Sequence, residues 1–401
     1  MTAARKADSY GWLLIGLAIA TTLPGLLLRV TGWFHVEPAA LGAFAFGVAI
    51  VGAAFLLTWA AEVAQMDISQ GLALAFLALI AVLPEYAVDL YFAWVAAKQP
   101  EYIGYATANM TGANRLLIGI AWPLIAYLNF WRWRKREVVL AHSRQVELAF
   151  LGLATIYSFV IPLKGTISLI DMMFLVGCFA GYVWRTAQGE TEEPELIGPA
   201  EAIASLGVRR RRQMVVGLFL FSAMIIFASA EPFAESLVHL GRGWGIDEFL
   251  LVQWLAPLAS ESPEIVIACL LTWKGDAQAG MGAMVSSKVN QWTLLVGTLP
   301  FVFSVASGYP RALPLDPRQT EEIFLTAAQS LFGLAVISNL RISLVESTWL
   351  LALFLLQLVF PNQDVRYEFA YAYLVLAAAL IVRNWRSFSG FFRGGLGLSG
   401  R

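Results

Sequence analysis

Leu83-Pro84-Glu85 followed by Ala108-Asn109-Met110-Thr111-Gly112-Ala113-Asn114, and Ser260-Glu261-Ser262-Pro263-Glu264 followed by Gly282-Ala283-Met284-Val285-Ser286-Ser287-Lys288, are two copies of one pattern. Each copy lies inside a long apolar stretch. Within a membrane helix both members of the proline-glutamate pair carry a cost. Proline leaves a backbone carbonyl without its usual donor, and an ionised carboxylate at mid-bilayer costs about 2.5–3.5 kcal/mol on insertion scales. A chain that carries this arrangement twice is expected to use it to handle ions.

Composition places the rest of the chain around that pattern. Apolar residues make up 59% of the 401 residues and charged residues 14%, with a mean hydropathy of +0.68, which is the balance of a polytopic membrane protein. The lipid bilayer is therefore the first partner. A formal net charge of -1 argues against nucleic acid. Cys178 and Cys269 lie in apolar spans, and His35, His142 and His239 lie in or near loops. Neither set forms a disulfide framework, a metal cluster or a nucleophile constellation, so no cofactor and no enzyme are expected. Arg5 and Lys6 before an apolar run resemble a signal peptide, but the run is long and lacks a small-residue cleavage site, so it reads as a retained first span.

About twelve windows are long enough to cross a hydrocarbon core of about 30 Å. They fall at 11–30, 40–64, 71–97, 103–128, 147–162, 166–187, 214–239, 246–272, 279–305, 320–340, 345–360 and 366–384. With the N-terminus inside, most of the 27 lysines and arginines fall on one side, among them Arg132, Arg134, Lys135, Arg136 and Arg209 to Arg212. Arg29, Lys98, Lys164, Arg242, Arg311, Arg318 and Arg366 fall on the other, and Arg115 and Lys288 fall within spans. That bias predicts cytoplasmic termini. The polar stretch 188–213, with Glu190, Glu192, Glu193 and Glu195 before the arginine run, reads as a solvated cytoplasmic loop. The two proline-glutamate helices are the third and the eighth spans, an odd offset, so the copies cross in opposite directions, as in inverted-topology repeats. The predicted organisation is an extra helix in 1–36 and a first repeat in 37–187 around 55–128. After the loop 188–213 come a second repeat in 214–360 around 225–305, and a final helix and tail in 361–401. The fold class is an all-α membrane protein of two inverted five-helix repeats with one extra helix at each end.

Glu85 and Glu264 are the leading candidates for a cation site. Two carboxylates facing each other across a pseudo-two-fold axis, beside carbonyls freed by proline, suit a hard cation. The structural alternative pairs each glutamate with a basic neighbour. Asp89 lies four residues after Glu85 and Glu261 three before Glu264, each on the same helix face as its neighbour. They are candidate ligands, proton carriers or partners of the buried bases. Arg115 and Lys288 follow on the next helices and are each expected to pair with one of these carboxylates. A desolvated lysine can also yield its proton, which would couple proton to cation movement. Asn109, Asn114, Ser286, Ser287, Asn290 and Gln291 are candidate neutral oxygen ligands or interhelical hydrogen bonders. Glu231 and Glu235 either line an access path or cap a helix end.

These residues resemble the sodium/calcium exchanger membrane region of the cation/calcium exchanger superfamily. That family has two inverted alpha-repeats, each with Gly-Thr-Ser-x-Pro-Glu and then Gly-Asn-x-x-Gly-Ser-Asn. The first motif is similar to Ile80-Ala81-Val82-Leu83-Pro84-Glu85 and Ala259-Ser260-Glu261-Ser262-Pro263-Glu264, and the second to 108–114 and 282–288. Ala230-Glu231-Pro232-Phe233-Ala234-Glu235 through Gly245-Ile246-Asp247 resembles the lead-in to the second repeat. The resemblance implies calcium binding at Glu85 and Glu264, with Ser260, Glu261, Asn109, Ser287 and Gln291 at the family's other oxygen positions. It also shows what has gone. Ala81, Val82, Ala113 and Leu117 stand where family members carry oxygens that bind sodium. With Arg115 and Lys288 added, this favours a proton-coupled or otherwise divergent exchanger, with protons or sodium as the counter-ion.

The expected function is a secondary antiporter that moves a cation, calcium first, by alternating access. Lys288, Asp89 and Arg115 would compensate charge or carry protons. The rival reading is a non-transporting membrane protein that kept the fold and filled the old site with internal salt bridges. The absence of a regulatory domain fits a bacterial inner membrane.

Overall fold

The computed structural model describes residues 2–32, 38–67, 82–188, 196–360 and 362–398, with side chains from residue 10 onward. The described chain is mostly helical, and nine of its helices are long and apolar enough to cross a membrane. It divides into two compact units. The first holds Met1–Tyr91 and Ala187–Glu264, and the second holds Phe92–Thr186 and Ile265–Arg401.

In the first unit, α1 (Thr2–Val30) and α2 (Ala39–Ala64) are joined by small residues. Gly25 lies so close to α2 that an added Cβ would stand 2.8 Å from that of Ala49, and one on Gly52 would stand 2.7 Å from the Ala18 carbonyl. Such close backbone approach is how membrane helices gain dispersion energy where lipid supplies no hydrophobic drive. α3 (Leu83–Ala96) starts at the first proline-glutamate pair. The short α9 (Pro199–Ala204) touches α1, where an added Cβ on Gly11 would stand 2.8 Å from that of Ala202. α10 (Val208–Trp244) packs on α2, with Phe233 against Gly47, and ends in left-handed Gly245. α11 (Glu248–Lys274) carries Pro257 and Pro263 and is shared with the second unit.

The second unit runs helix, strand, helix, strand, helix, and then repeats that order. α4 (Tyr102–Leu116) passes through a π turn at Leu117–Ala121 into α5 (Trp122–Trp133). After β1 (Glu137–Val139) come α6 (Gln145–Ser158), α7 (Val160–Lys164), β2 (Thr166–Ile167) and α8 (Leu169–Thr186). In the second half, α12 (Ala277–Asn290) passes through a π turn at Gln291–Leu295 into α13 (Val296–Ser307). Then come β3 (Leu313–Pro314), α14 (Pro317–Ile337), β4 (Arg341–Ser343) and α15 (Leu344–Val359). The strands pair across the halves: β1 antiparallel with β4, placing Val138 opposite Ile342, and β2 antiparallel with β3. Asp316 and Ser343 start α14 and α15 with capping boxes. α16 (Gln363–Arg383) and α17 (Trp385–Gly395) complete the chain, with Phe392 of α17 against Gly152 of α6.

Several expectations are corrected. The window 71–97 is described only from residue 82, and Ile80, Ala81 and the glutamates at 190, 192, 193 and 195 lie outside the described residues. Arg209 to Arg212 belong to the first two turns of α10 and not to a loop. Arg366 is not an outer-loop residue; it lies in α16 and is 2% exposed. The windows 103–128 and 279–305 each pass through a π turn, which apolar periodicity does not signal. Pro123 follows the first π turn and withholds the N–H that the Gly119 carbonyl would use.

Candidate functional site

In the first unit, Glu85 lies in the first turn of α3 next to Pro84, and its side chain is buried. Its two carboxylate oxygens have no hydrogen-bond partner among the described residues. Glu264 follows Pro263 on α11 and is half-buried, and the two glutamates are close enough for their charges to interact. Asp89, one turn further along α3 and fully buried, adds to that negative field. Ser260 is within reach of Glu85, although its hydroxyl donates to the carbonyls of Ala256 at 3.2 Å and Pro257 at 3.4 Å. Glu261 is fully buried on the same face of α11 as Glu264. Among the described residues no three His, Cys, Asp or Glu side chains converge as a metal-binding group. A cation held here would therefore need hydroxyls, carbonyls or water beside the acidic pair.

Glu231 and Glu235 turn out to be tied rather than open. Arg29 donates to Glu231 at 3.0 Å and the Tyr91 hydroxyl donates to Glu235 at 2.6 Å.

In the second unit, Asn109, Asn114, Arg115, Ser287, Lys288 and Gln291 are all buried on α4, α12 and the second π turn. The Lys288 ammonium donates to Asn114 Oδ1 at 2.8 Å and to the Asn114 carbonyl at 3.2 Å. It also lies 4.6 Å from the centre of the Trp292 ring, one turn along its own helix. Asn114 is the residue that ends the first copy of the motif, as Lys288 ends the second. Its amide nitrogen is used on the Met110 carbonyl at 2.9 Å, which turns the amide oxygen toward the lysine.

Arg115 pairs with Glu322 of α14, a carboxylate outside those considered from the sequence. Glu322 also accepts from Arg366 of α16, and Glu321 stands 3.8 Å from the same guanidinium. Gln329 donates to the Arg115 carbonyl at 3.2 Å. The two arginines and two glutamates of this buried cluster balance in charge. The cue was available: Glu321 and Glu322 fall inside the window 320–340 and Arg366 at the edge of 366–384, where ionisable residues call for partners.

A second unforeseen group surrounds the start of α6. Arg144 pairs with buried Glu147 at 2.8 Å, and Ser286 of the second motif lies 3.5 Å from the same carboxylate. The Arg144 guanidinium lies over Gly282, where any Cβ would stand 2.8 Å from it.

Comparison with known proteins follows the same outline. The family model described as sodium/calcium exchanger protein matches residues 38–187 and 214–361. A crystal structure of an H+/Ca2+ exchanger, CAX, is 44% identical over 96% of this chain and 98% of that one, with a TM-score of 0.92. The structure of native YfkE is 15% identical over 91% of this chain and 99% of its own, with a TM-score of 0.61. The sodium-calcium exchanger NCX_Mj is 16% identical over 86% and 99%, with a TM-score of 0.52. At such identities the last two speak for the fold alone. No curated protein matches the chain.

Proposed function

Since the chain belongs to the sodium/calcium exchanger protein family, we propose that it is an integral membrane antiporter that exchanges calcium for protons by alternating access. The observation that carries this reading is the buried Glu85 carboxylate beside Glu264. A buried carboxylate with a second one beside it is stabilised by a positive partner. A calcium ion meets that need through oxygen ligation, and protons meet it by removing the charge. The two cannot do so together, and that exclusion is the coupling of an exchanger. Similarity to a structure described as an H+/Ca2+ exchanger supports calcium and protons as the pair. The loss of sodium-type oxygens at Val82, Ala113 and Leu117 supports the same choice.

In this reading Glu85 and Glu264 bind calcium, Ser260 and Glu261 assist from α11, and Asp89 relays protons. Asn109, Ser287 and Gln291 are neutral oxygen donors on the strength of the motif. Lys288 and Arg115 compensate charge, Arg115 through Glu322. The rival reading needs the old site filled by salt bridges, whereas Arg115 ends on Glu322 of α14. Two inverted repeats, 37–187 and 214–360, are supported by the doubled element order of the second unit. Their two π turns are separated in sequence by 174 residues, the same separation as Asn114 and Lys288. The pairing of β1 with β4 and of β2 with β3 is what a two-fold relation generates from a single pairing. The segment between α8 and α10 would join the repeats on the cytoplasmic side of a bacterial inner membrane, with both termini also cytoplasmic.

Calcium binding by the purified protein tests the site. Glu85→Gln and Glu264→Gln should each weaken calcium affinity by about 10–100-fold, the worth of one charge-assisted contact. Wild-type affinity in both variants would remove these residues from the site.

A further inference from the structure

The Lys288 ammonium is held the way a protein holds a free monovalent cation. Two oxygens of one residue, the amide oxygen of Asn114 at 2.8 Å and its carbonyl at 3.2 Å, face it from one side. The Trp292 ring presents its negative face 4.6 Å away. Lysine, asparagine and tryptophan ring are all fully or almost fully buried. The placement is symmetric in sequence as well, since Asn114 and Lys288 close the two copies of one motif and meet each other in the fold. Asparagine at both places would set two amide oxygens facing a shared space, which is a cation ligand set with no cation attached. Lysine at the second place puts a positive charge into that space on a four-carbon tether.

We propose that Lys288 is a tethered monovalent cation that occupies a sodium-type site formed with Asn114 and Trp292, and that it thereby excludes sodium as counter-ion. The inference rests on the antiporter reading for its consequence, the choice of counter-ion, but its test uses no calcium. An ammonium on a side chain is present at an effective concentration that no free ion matches. It also repels a second cation at short range in a dry site. An exchanger built this way keeps the charge that sodium would bring and loses the ability to be driven by it.

Shortening the tether empties the space and should let a free cation in. The test uses the purified full-length protein and its variants Lys288→Ala, which opens room, and Lys288→Asn, which opens room and restores an oxygen donor. Lys288→Met fills the room without charge. Melting temperature is compared in sodium chloride and in choline chloride at equal ionic strength. The wild type and Lys288→Met should melt alike in the two salts. Lys288→Asn and Lys288→Ala should melt higher in sodium by about 3 °C or more at saturation, because a ligand of the folded state alone raises its stability. Methylammonium, which returns the lost group untethered, should act as sodium does on Lys288→Ala. Two results overturn the proposal: indifference of both opened variants to sodium and methylammonium, or failure of both to fold in any of these cations. The readout does not involve calcium. A protein that moves no calcium would sink the antiporter reading and leave this result standing.

Discussion

Asp67, between α2 and the undescribed residues that precede α3, accepts two hydrogen bonds from Arg211 at 2.9 Å each and one from Arg212 at 3.1 Å. The fork of Arg211 on one carboxylate is the geometry in which guanidinium pairing is strongest. The Arg211 hydrogen bonds hold the Asp67 carboxyl below the usual carboxylate range, with Arg212 adding to the effect and partial burial opposing it. A carboxylate whose folded pKa is lowered contributes stability that is present above its unfolded value, about 3.9, and is lost as pH falls through the folded value. Asp67→Asn should therefore lower the melting temperature at neutral pH. The gap to the wild type should close as the solution is acidified past the lowered pKa, and a gap independent of pH would contradict this origin. In the sequence Asp67 stands three residues past the apolar window 40–64, and Arg211 and Arg212 belong to the arginine run that signals topology. Their pairing spans 144 and 145 residues, a distance at which local pattern carries no information. The site glutamates were legible for the opposite reason: a carboxylate after a proline in an apolar window is conspicuous wherever its partners are.

At the scale of elements, the cluster of Arg115, Glu322, Arg366 and Glu321 joins α4 to α14 and α16. Burying four charges is costly, and the cluster holds only because each charge faces its opposite. Glu322 is the keystone, since it pairs with both guanidiniums. Glu322→Gln leaves two buried arginines short of an anion and should destabilise the protein by about 3–5 kcal/mol, read as a fall in melting temperature. A change comparable to that of a surface carboxylate would show that the cluster is solvated. The helices themselves were legible to within a few residues at most ends, because apolar windows and capping residues are local signals. Three features were not. The π turns leave the apolar pattern intact while shifting hydrogen bonds. The strands at 137–139, 166–167, 313–314 and 341–343 are too short to show a period of two. The last helix, Trp385–Gly395, spreads arginine and serine among its phenylalanines and so fails a test for continuous apolar residues.

For the molecule as a whole, the doubled motif and the apolar windows were enough to reach the family and a helical membrane fold. The number of crossings was less secure. About twelve windows fit a bilayer by length, whereas nine described helices meet that standard. Leu344–Val359 is too short to count, Leu83–Ala96 begins where the described residues resume, and Tyr102–Trp133 carries Asn109, Asn114 and Arg115. The last two hold the proposed chemistry, where polar groups displace the hydrophobicity that span counting depends on. Glu321, Glu322 and Arg366 show the same limit from the other side, because reading Arg366 as a loop residue hid the partner of Glu322.

Calcium uptake by proteoliposomes is the measurement that bears most directly on exchange. The purified protein would be reconstituted and given external calcium, with a proton gradient alone in one arm and a sodium gradient alone in the other. The account predicts uptake driven by the proton gradient, none driven by sodium, and loss of the proton-driven uptake in Glu85→Gln. Uptake driven by sodium alone, or no uptake under either gradient from folded protein, would contradict it.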